Sequence, residues 1–233
     1  SSTYRQSSKL TRKLLERDPQ NQLLARSPRY RLSSSMLRDQ ALALSGLLVN
    51  KIGGPPVKPY QPKGVWREMT LGKIGYKRDT GEKLYRRSVY TFWRRSVGPT
   101  MLFDSSARQV CTVRASRTNT PLHALTLMND ITYVEASRAL AQNLLQRRST
   151  LQERLSQAFR LATGRKVRSA ELATLEKVYQ KTRQRYQQDQ EAAKKLIAVG
   201  ELPIPSPVNA VELASLTAVV NMILNLDEVL TRE

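Results

Sequence analysis

The sequence predicts a mainly α-helical chain, an irregular helical domain with one long Gly/Pro-rich loop inserted and at most a short β element. Three observations carry this. Apolar residues recur at helical spacing through most of the chain, most clearly after residue 120. Helix-start residues precede several of these stretches, and glycine or proline follows them. Between Gly53 and Gly81 the pattern stops: Pro55, Pro56, Pro59, Pro62 and six glycines forbid a long helix there.

In chain order, Leu10 to Arg17 reads as a short helix with Leu14 and Leu15 on its apolar side. Asp18-Pro19 reads as a fresh start, with Asp18 as cap, Pro19 in the first turn, and Leu23 and Leu24 as anchors before Ser27-Pro28. Ser33–Ser35 offers caps for a helix running to about Ile52, with Met36, Leu37, Leu44, Leu47 and Leu48 on its stripe and Gly53 as its stop. The loop over 53–82 follows, with Tyr60, Trp66 and Tyr76 set among Lys58, Lys63, Arg67, Lys73, Lys77 and Arg78. A loop of that length is functional or is ordered by its own side chains.

Leu84 to Arg95 fits a helix with Tyr85, Val89, Phe92 and Trp93 on one arc and Arg86, Arg87, Arg94 and Arg95 on the other. Gln109 to Val113 is the best strand candidate, and Cys111 within it reads as a buried small hydrophobe. Thr120 or Asn119 caps a helix with Pro121 in its first turn, carrying Leu122, Leu125 and Met128. Asn129-Asp130 restarts a helix from Ile131 to about Arg148.

The remainder reads as helical hairpins. Thr150 with Glu153 forms a capping box, and Gly164 stops that helix. Ser169 caps the next, whose polar stretch Gln180 to Gln190 bends away from the core. Gly200 ends a turn, Pro203, Pro205 and Pro207 stiffen a connector, and Asn209 with Glu212 starts an apolar terminal helix. The division is an Arg-rich part over 1–148 and hairpins over 149–233, packed as one domain.

Charge narrows the function. The chain has 233 residues and a net charge of +20, but residues 1–100 alone hold 21 Lys/Arg against 6 Asp/Glu. Residues 151–233 hold 12 against 10. Arginines number 26 and lysines 13, and arginine's planar fork suits carboxylate, phosphate and sulfate. The implied partner is anionic: nucleic acid, acidic polysaccharide or an acidic protein surface. A plain solvated surface explains the same charge.

One cysteine excludes an internal disulfide framework, a Cys-based zinc site and covalent c-type haem attachment in this chain, and one histidine excludes a His-rich metal site. Leu213 to Leu226 is too short to span a bilayer, and the polar start is no signal peptide.

Several dispersed segments carry a resemblance. They are Thr3–Ser8, Asp18–Arg26, Arg38–Ala43, Gly46-Leu-Leu through Gly54-Pro, Val57–Pro62, Tyr85-Arg-Arg-Ser, Tyr90–Trp93, Arg117–Leu122 and Leu224–Glu233. In that order they resemble the planctomycete cytochrome-associated domain of unknown function, a C-terminal module of large multidomain proteins. The likeness covers essentially the whole chain. The family's usual opening helix before Thr3 is absent, so by this resemblance the chain reads as a truncated or cleaved C-terminal piece. The resemblance implies export to the periplasm or beyond, a redox-linked setting and a link to polysaccharide use, with haem only on a separate or upstream domain. It supplies no reaction.

No catalytic constellation, metal site or phosphate-cradling loop stands out. Gly53-Gly54-Pro55-Pro56 lacks the lysine and the spacing of a P-loop. His123 suits a general base, an axial haem ligand or, more commonly at such a place, a structural role. Asp227 and Glu228 point about 100° apart on a helix, which suits capping or pairing with arginine better than a dyad. The candidate anion- or partner-binding residues are Arg86, Arg87, Arg94, Arg95, Arg114, Arg117, Asn119 and His123. Arg114, Arg117, Thr118 and Asn119 frame an anion at the helix start, or tie the loop to backbone carbonyls.

The reading that follows is a non-catalytic scaffold or docking module for upstream domains or a partner chain, with an Arg-rich surface for an acidic protein. The alternatives are binding of an anionic, sulfated polysaccharide, and an envelope enzyme for carbohydrate or redox chemistry completed by upstream domains. Nucleic acid ranks last, because no recognition helix or RNA-binding signature accompanies the charge.

Overall fold

A computed structural model describes residues 2, 5–69, 71–73, 75–94, 98–99, 101–105, 111, 113, 118–147 and 149–232. Among them the architecture is mainly α, with one two-stranded sheet. Helices α1 (Arg12–Arg17), α2 (Ser34–Leu44) and the short α3 (Val65–Met69) lie in the first hundred residues. Then come α4 (Pro121–Asn129), α5 (Ile131–Leu145), α6 (Leu151–Thr163), α7 (Ser169–Gln188), α8 (Gln190–Ile197), α9 (Ala210–Leu224) and α10 (Asp227–Leu230). The strands β1 (Tyr30–Arg31) and β2 (Thr231–Arg232) pair antiparallel, which brings the chain's end beside α2.

The C-terminal helices follow local signals closely. Thr150 and Glu153 cap α6 reciprocally, and Gly164 ends it at φ 76°. Asp130 caps α5 through Thr132 N, and Asn209 caps α9 through Glu212 N. Ser169 is the first residue of α7 rather than its cap, and the polar stretch stays helical to Gln188. Asp189 then breaks the helix and caps α8 through its side chain. The buried residues of α5 to α9 form the largest apolar cluster, centred on Leu144, Leu155, Phe159, Leu213, Leu216 and Val220.

The N-terminal part departs from its expected helices, each time because a side chain or a distant segment takes the backbone bonds. Asp18 does not open a helix. It ends α1, and its carboxylate accepts from Gln22 N and Leu23 N. Arg26 donates back to the carbonyls of Asp18 and Pro19, and Asn21 bonds both backbone groups of Arg26. The result is a tied loop whose Leu23 and Leu24 are 68% and 57% exposed rather than buried anchors.

Helix α2 starts at its expected cap, Ser33, but stops at Leu44, not near Ile52. Gly46 turns left-handed at φ 76°, a conformation glycine adopts without a Cβ penalty. Leu47 N and Leu48 N then close onto Leu42 O, and Val49 N reaches Tyr85 O. Met36, expected on the apolar stripe, is 56% exposed.

The segment expected as one helix over 84–95 is not helical as a unit. Short 3-10 turns cover Gly81–Tyr85 and Ser88–Tyr90, and isolated bridges join Val49 to Arg86 and Val57 to Thr91. The cause is non-local. Arg38, fully buried on α2, donates to Leu84 O at 2.7 Å and Arg86 O at 2.9 Å, while Asp39 accepts from Ser88 N and its hydroxyl. These carbonyls accept from Arg38, and Ser88 N and Tyr90 N donate to Asp39 and Arg87 O rather than four residues back.

The strand expected over 109–113 falls largely outside the described residues, and Cys111 is exposed, not buried. On α4 the buried residues are His123 and Leu127, while Leu122, Leu125 and Met128 face out. Helix α5 joins the regions. It packs on α9 and α2, and its buried Glu135 accepts from the Tyr85 hydroxyl at 3.0 Å and from Leu202 N at 2.7 Å. Arg138, one turn on, donates to Leu202 O at 2.8 Å. A Cβ on Gly200 would collide with the Glu135 carboxyl.

Candidate functional site

Of the eight candidate residues, Arg95, Arg114 and Arg117 lie outside the described residues. The other five separate into two places.

The first is the ordered loop with the segment 84–94. Arg86 is 5% exposed and is a strut rather than a binding group. Its guanidinium donates to Lys51 O at 2.8 Å and Pro55 O at 3.3 Å and lies 3.9 Å over the Tyr90 ring. Placing all four arginines on one solvent-facing arc assumed a helix, and the bridge at Arg86 turns that side chain inward instead. Arg87 stays exposed, 3.8 Å from Asp39. Arg94 is partly buried, its guanidinium 5.9 Å from the Trp66 ring.

The loop is ordered by its own side chains. Trp66 stacks on Tyr76 at 5.2 Å and on Phe92 at 5.9 Å. The Tyr76 hydroxyl donates to Pro59 O at 2.7 Å, and Asp79 holds Lys58 N at 2.7 Å. With its aromatics turned inward, the loop exposes Lys51, Lys63, Arg67, Lys73, Lys77, Arg78 and Lys83. Residues 51–94 contain eleven Lys/Arg and three Asp/Glu. Arg78 also pairs with Glu201 at 3.2 Å.

The second place is the start of α4, which brings Asn119 and His123 together. The residue joining them is Arg31, from β1. Its Nη1 donates to Asn119 Oδ1 at 2.8 Å and meets His123 Nδ1 at 3.3 Å. Phe103 stacks on the imidazole at 4.2 Å, with the Arg31 guanidinium 5.2 Å from the same ring. Burial pulls Arg31 below its ordinary pKa, with the Asp104 charge opposing.

Asp104 lies beside this cluster. Its carboxylate accepts from Thr118 N at 2.7 Å and from the Thr118 hydroxyl at 2.9 Å, and lies 3.7 Å from His123 Nε2. A guanidinium only donates, so Nδ1 of His123 is an acceptor and the ring proton faces Asp104. The imidazole is 8% exposed, held between Arg31 on one side and Asp104 on the other. Arg31 and Asp104 carry the electrostatics of this cluster, and no local spacing points to either. Their partners lie 92 and 14 residues away.

Among the described residues no group of three or more His, Cys, Asp or Glu is placed to hold a metal, and no helix is long and apolar enough to cross a membrane. An open groove along α6 has Glu153 in its lining, but that carboxylate is occupied by the Thr150 cap, which holds it below its usual pKa. Asp227 and Glu228 pair with Arg29 and Arg165.

Comparison with known families finds one model, described as PSD1, a protein of unknown function (DUF1553), that matches residues 1–179. No match was found among curated proteins or solved structures. The match covers more than half of the sequence and takes in both the basic loop and the start of α4. The chain therefore belongs to the PSD1 family of proteins of unknown function (DUF1553).

Proposed function

We propose that this chain is a non-catalytic helical scaffold whose N-terminal half offers a cationic face to an acidic protein partner, within a larger exported, cytochrome-associated assembly. The observation that carries the reading is the loop surface, where Lys51, Lys63, Arg67, Lys73, Lys77, Arg78, Lys83 and Arg87 are exposed, on a frame tied to α2 by buried Arg38 and braced by buried Arg86. A preorganised cationic surface loses little entropy on docking and steers an acidic partner over distance. The exported setting, periplasmic or extracellular, rests on the resemblance to the planctomycete module.

Two features favour a protein over a sulfated polysaccharide. Trp66, Tyr76 and Phe92 stack on one another instead of offering open faces to sugar rings. The tied loop over 18–26 holds Leu23 and Leu24 outward, and Leu24 sits at φ 52°, an uncommon conformation for a bulky residue. A glycan or a nucleic acid has little use for two leucines held in a set direction. A shaped apolar pocket with a carboxylate rim does.

The test is zero-length coupling of lysine amines to carboxylates in a native preparation, read by mass spectrometry. The expected result is intermolecular links from Lys63, Lys73 or Lys77 to Asp or Glu of another protein. Links confined to this chain would refute the reading. Retention on a sulfated-glycan column well beyond a control of equal charge, in a chain that gives no such links, would favour the polysaccharide instead.

A further inference from the structure

Between α2, α5 and the corner joining α9 to α10 lies a cavity of about 20 Å³. That volume is enough for one water molecule. Most of the lining is apolar, with Leu37, Leu127 and Leu230 among it. Four polar residues interrupt it. Ser137 is already used, its hydroxyl donating to Tyr133 O at 2.8 Å. The other three each bring a buried atom with no hydrogen-bond partner: Gln40 Oε1, the Tyr133 hydroxyl and Asn225 Oδ1. Buried polar atoms without partners are rare in folded proteins, and three around one small cavity call for a shared ligand.

The chemistry of the three atoms identifies it. Asn225 Nδ2 donates to Asn221 O at 2.8 Å, which fixes the amide so that Oδ1 is the free acceptor. Gln40 Oε1 also only accepts. Burial raises the affinity of the Tyr133 phenol for its proton, so its hydroxyl is available as a donor. Two acceptors and one donor are complemented by a molecule with two donors and one acceptor. An ammonium ion would leave the Tyr133 proton without an acceptor.

We propose that this cavity binds one ordered water, which donates to Gln40 Oε1 and Asn225 Oδ1 and accepts from the Tyr133 hydroxyl. The water pins three elements: α2, α5 and the α9–α10 corner. That corner leads directly into β2, so the site also secures the end of the chain against β1.

A crystal structure of the full chain at better than about 2 Å tests this directly. The expected result is one isolated density peak at hydrogen-bond distance, about 2.6–3.2 Å, from all three atoms. A cavity without that peak, or a peak reaching fewer than three of them, overturns the assignment. In solution, Tyr133→Phe keeps the ring and removes the donor. With the water bound, the unfolding equilibrium constant rises about three- to tenfold, the worth of one lost hydrogen bond. In a dry cavity the same change relieves an unpartnered hydroxyl and leaves stability unchanged or higher. Gln40→Met, close in shape, provides a second arm. Through a shared water its effect and that of Tyr133→Phe are less than additive, whereas strict additivity contradicts a common ligand.

Discussion

The two halves of this protein are held together by different physics. In the C-terminal half, α5 to α9 bury a continuous set of Leu, Ala, Val and Phe side chains, and the charges nearly balance. In the N-terminal half little of the chain is regular, and buried guanidinium groups do much of the joining. Arg38 grips the carbonyls of residues 84 and 86, Arg86 grips those of 51 and 55, and Arg31 grips the loop before α4. An arginine placed this way satisfies several backbone acceptors at once, which a loop without a ladder otherwise leaves unmet. It also means that basic content there divides into buried struts and an exposed surface, two uses that composition cannot tell apart.

The contrast yields predictions, the largest first. Arg38→Ala leaves the carbonyls of Leu84 and Arg86 buried without a donor. It is expected to cost about 3–5 kcal/mol in urea unfolding. Hydrogen exchange should rise over 47–60 and 84–92 while α6 to α9 keep their protection. Uniform loss of protection would mean the halves do not differ in this way.

Leu216→Ala, 1% exposed in α9, should cost about 2–4 kcal/mol by opening a cavity. Its effect should centre on α5, α7 and α8 and spare the loop. Gly200→Ala should cost about 2 kcal/mol or more, because a residue at φ 91° gains a Cβ against Glu135. Since Glu135 binds both Tyr85 and Leu202, this variant should loosen both halves together.

The smallest effects belong to the surface clamp of the C-terminal half. Thr150→Ala removes a reciprocal cap and should cost about 1 kcal/mol. Arg165 binds Glu171 at 2.6 Å and Glu228 at 2.7 Å, and this pairing holds the Glu171 carboxyl down at about 2. A depressed carboxylate pKa contributes stability above its unfolded value, and that contribution fades as pH falls toward the folded one. Thermal scans from pH 5 to 2 should therefore show a loss of stability that Arg165→Met reduces. An unchanged pH profile in that variant would remove the clamp from the account.

How far the fold was legible follows the same division. The caps at Thr150, Asp130 and Asn209 and the stop at Gly164 are local, within four residues of what they bond, and the sequence pattern identifies them. The segment 84–95 has a good helical arc, yet its backbone is claimed by Arg38 and Val57 from far away in sequence. Asp18 shows the signature of a helix cap and does bond the amides four and five residues on, but the chain closes into a loop through Asn21 and Arg26. At the candidate site, Asn119 and His123 were identifiable by their place at a helix start. Their partner Arg31 stood with Arg5, Arg26 and Arg29 as one arginine of the first third, with nothing local to tie it to His123.

The most direct test of the cationic face compares the two halves at equal charge. Lysine-to-carboxylate coupling in the native host would be run on two full-length variants. One carries Lys63→Gln, Lys73→Gln and Lys77→Gln, and the other Lys177→Gln, Lys181→Gln and Lys195→Gln. All six positions are exposed, and each set removes three positive charges. If the N-terminal loop is the docking face, the first variant loses its intermolecular links and the second keeps those of the wild type. Equal loss in both, or none in either, would contradict a docking face on the N-terminal half.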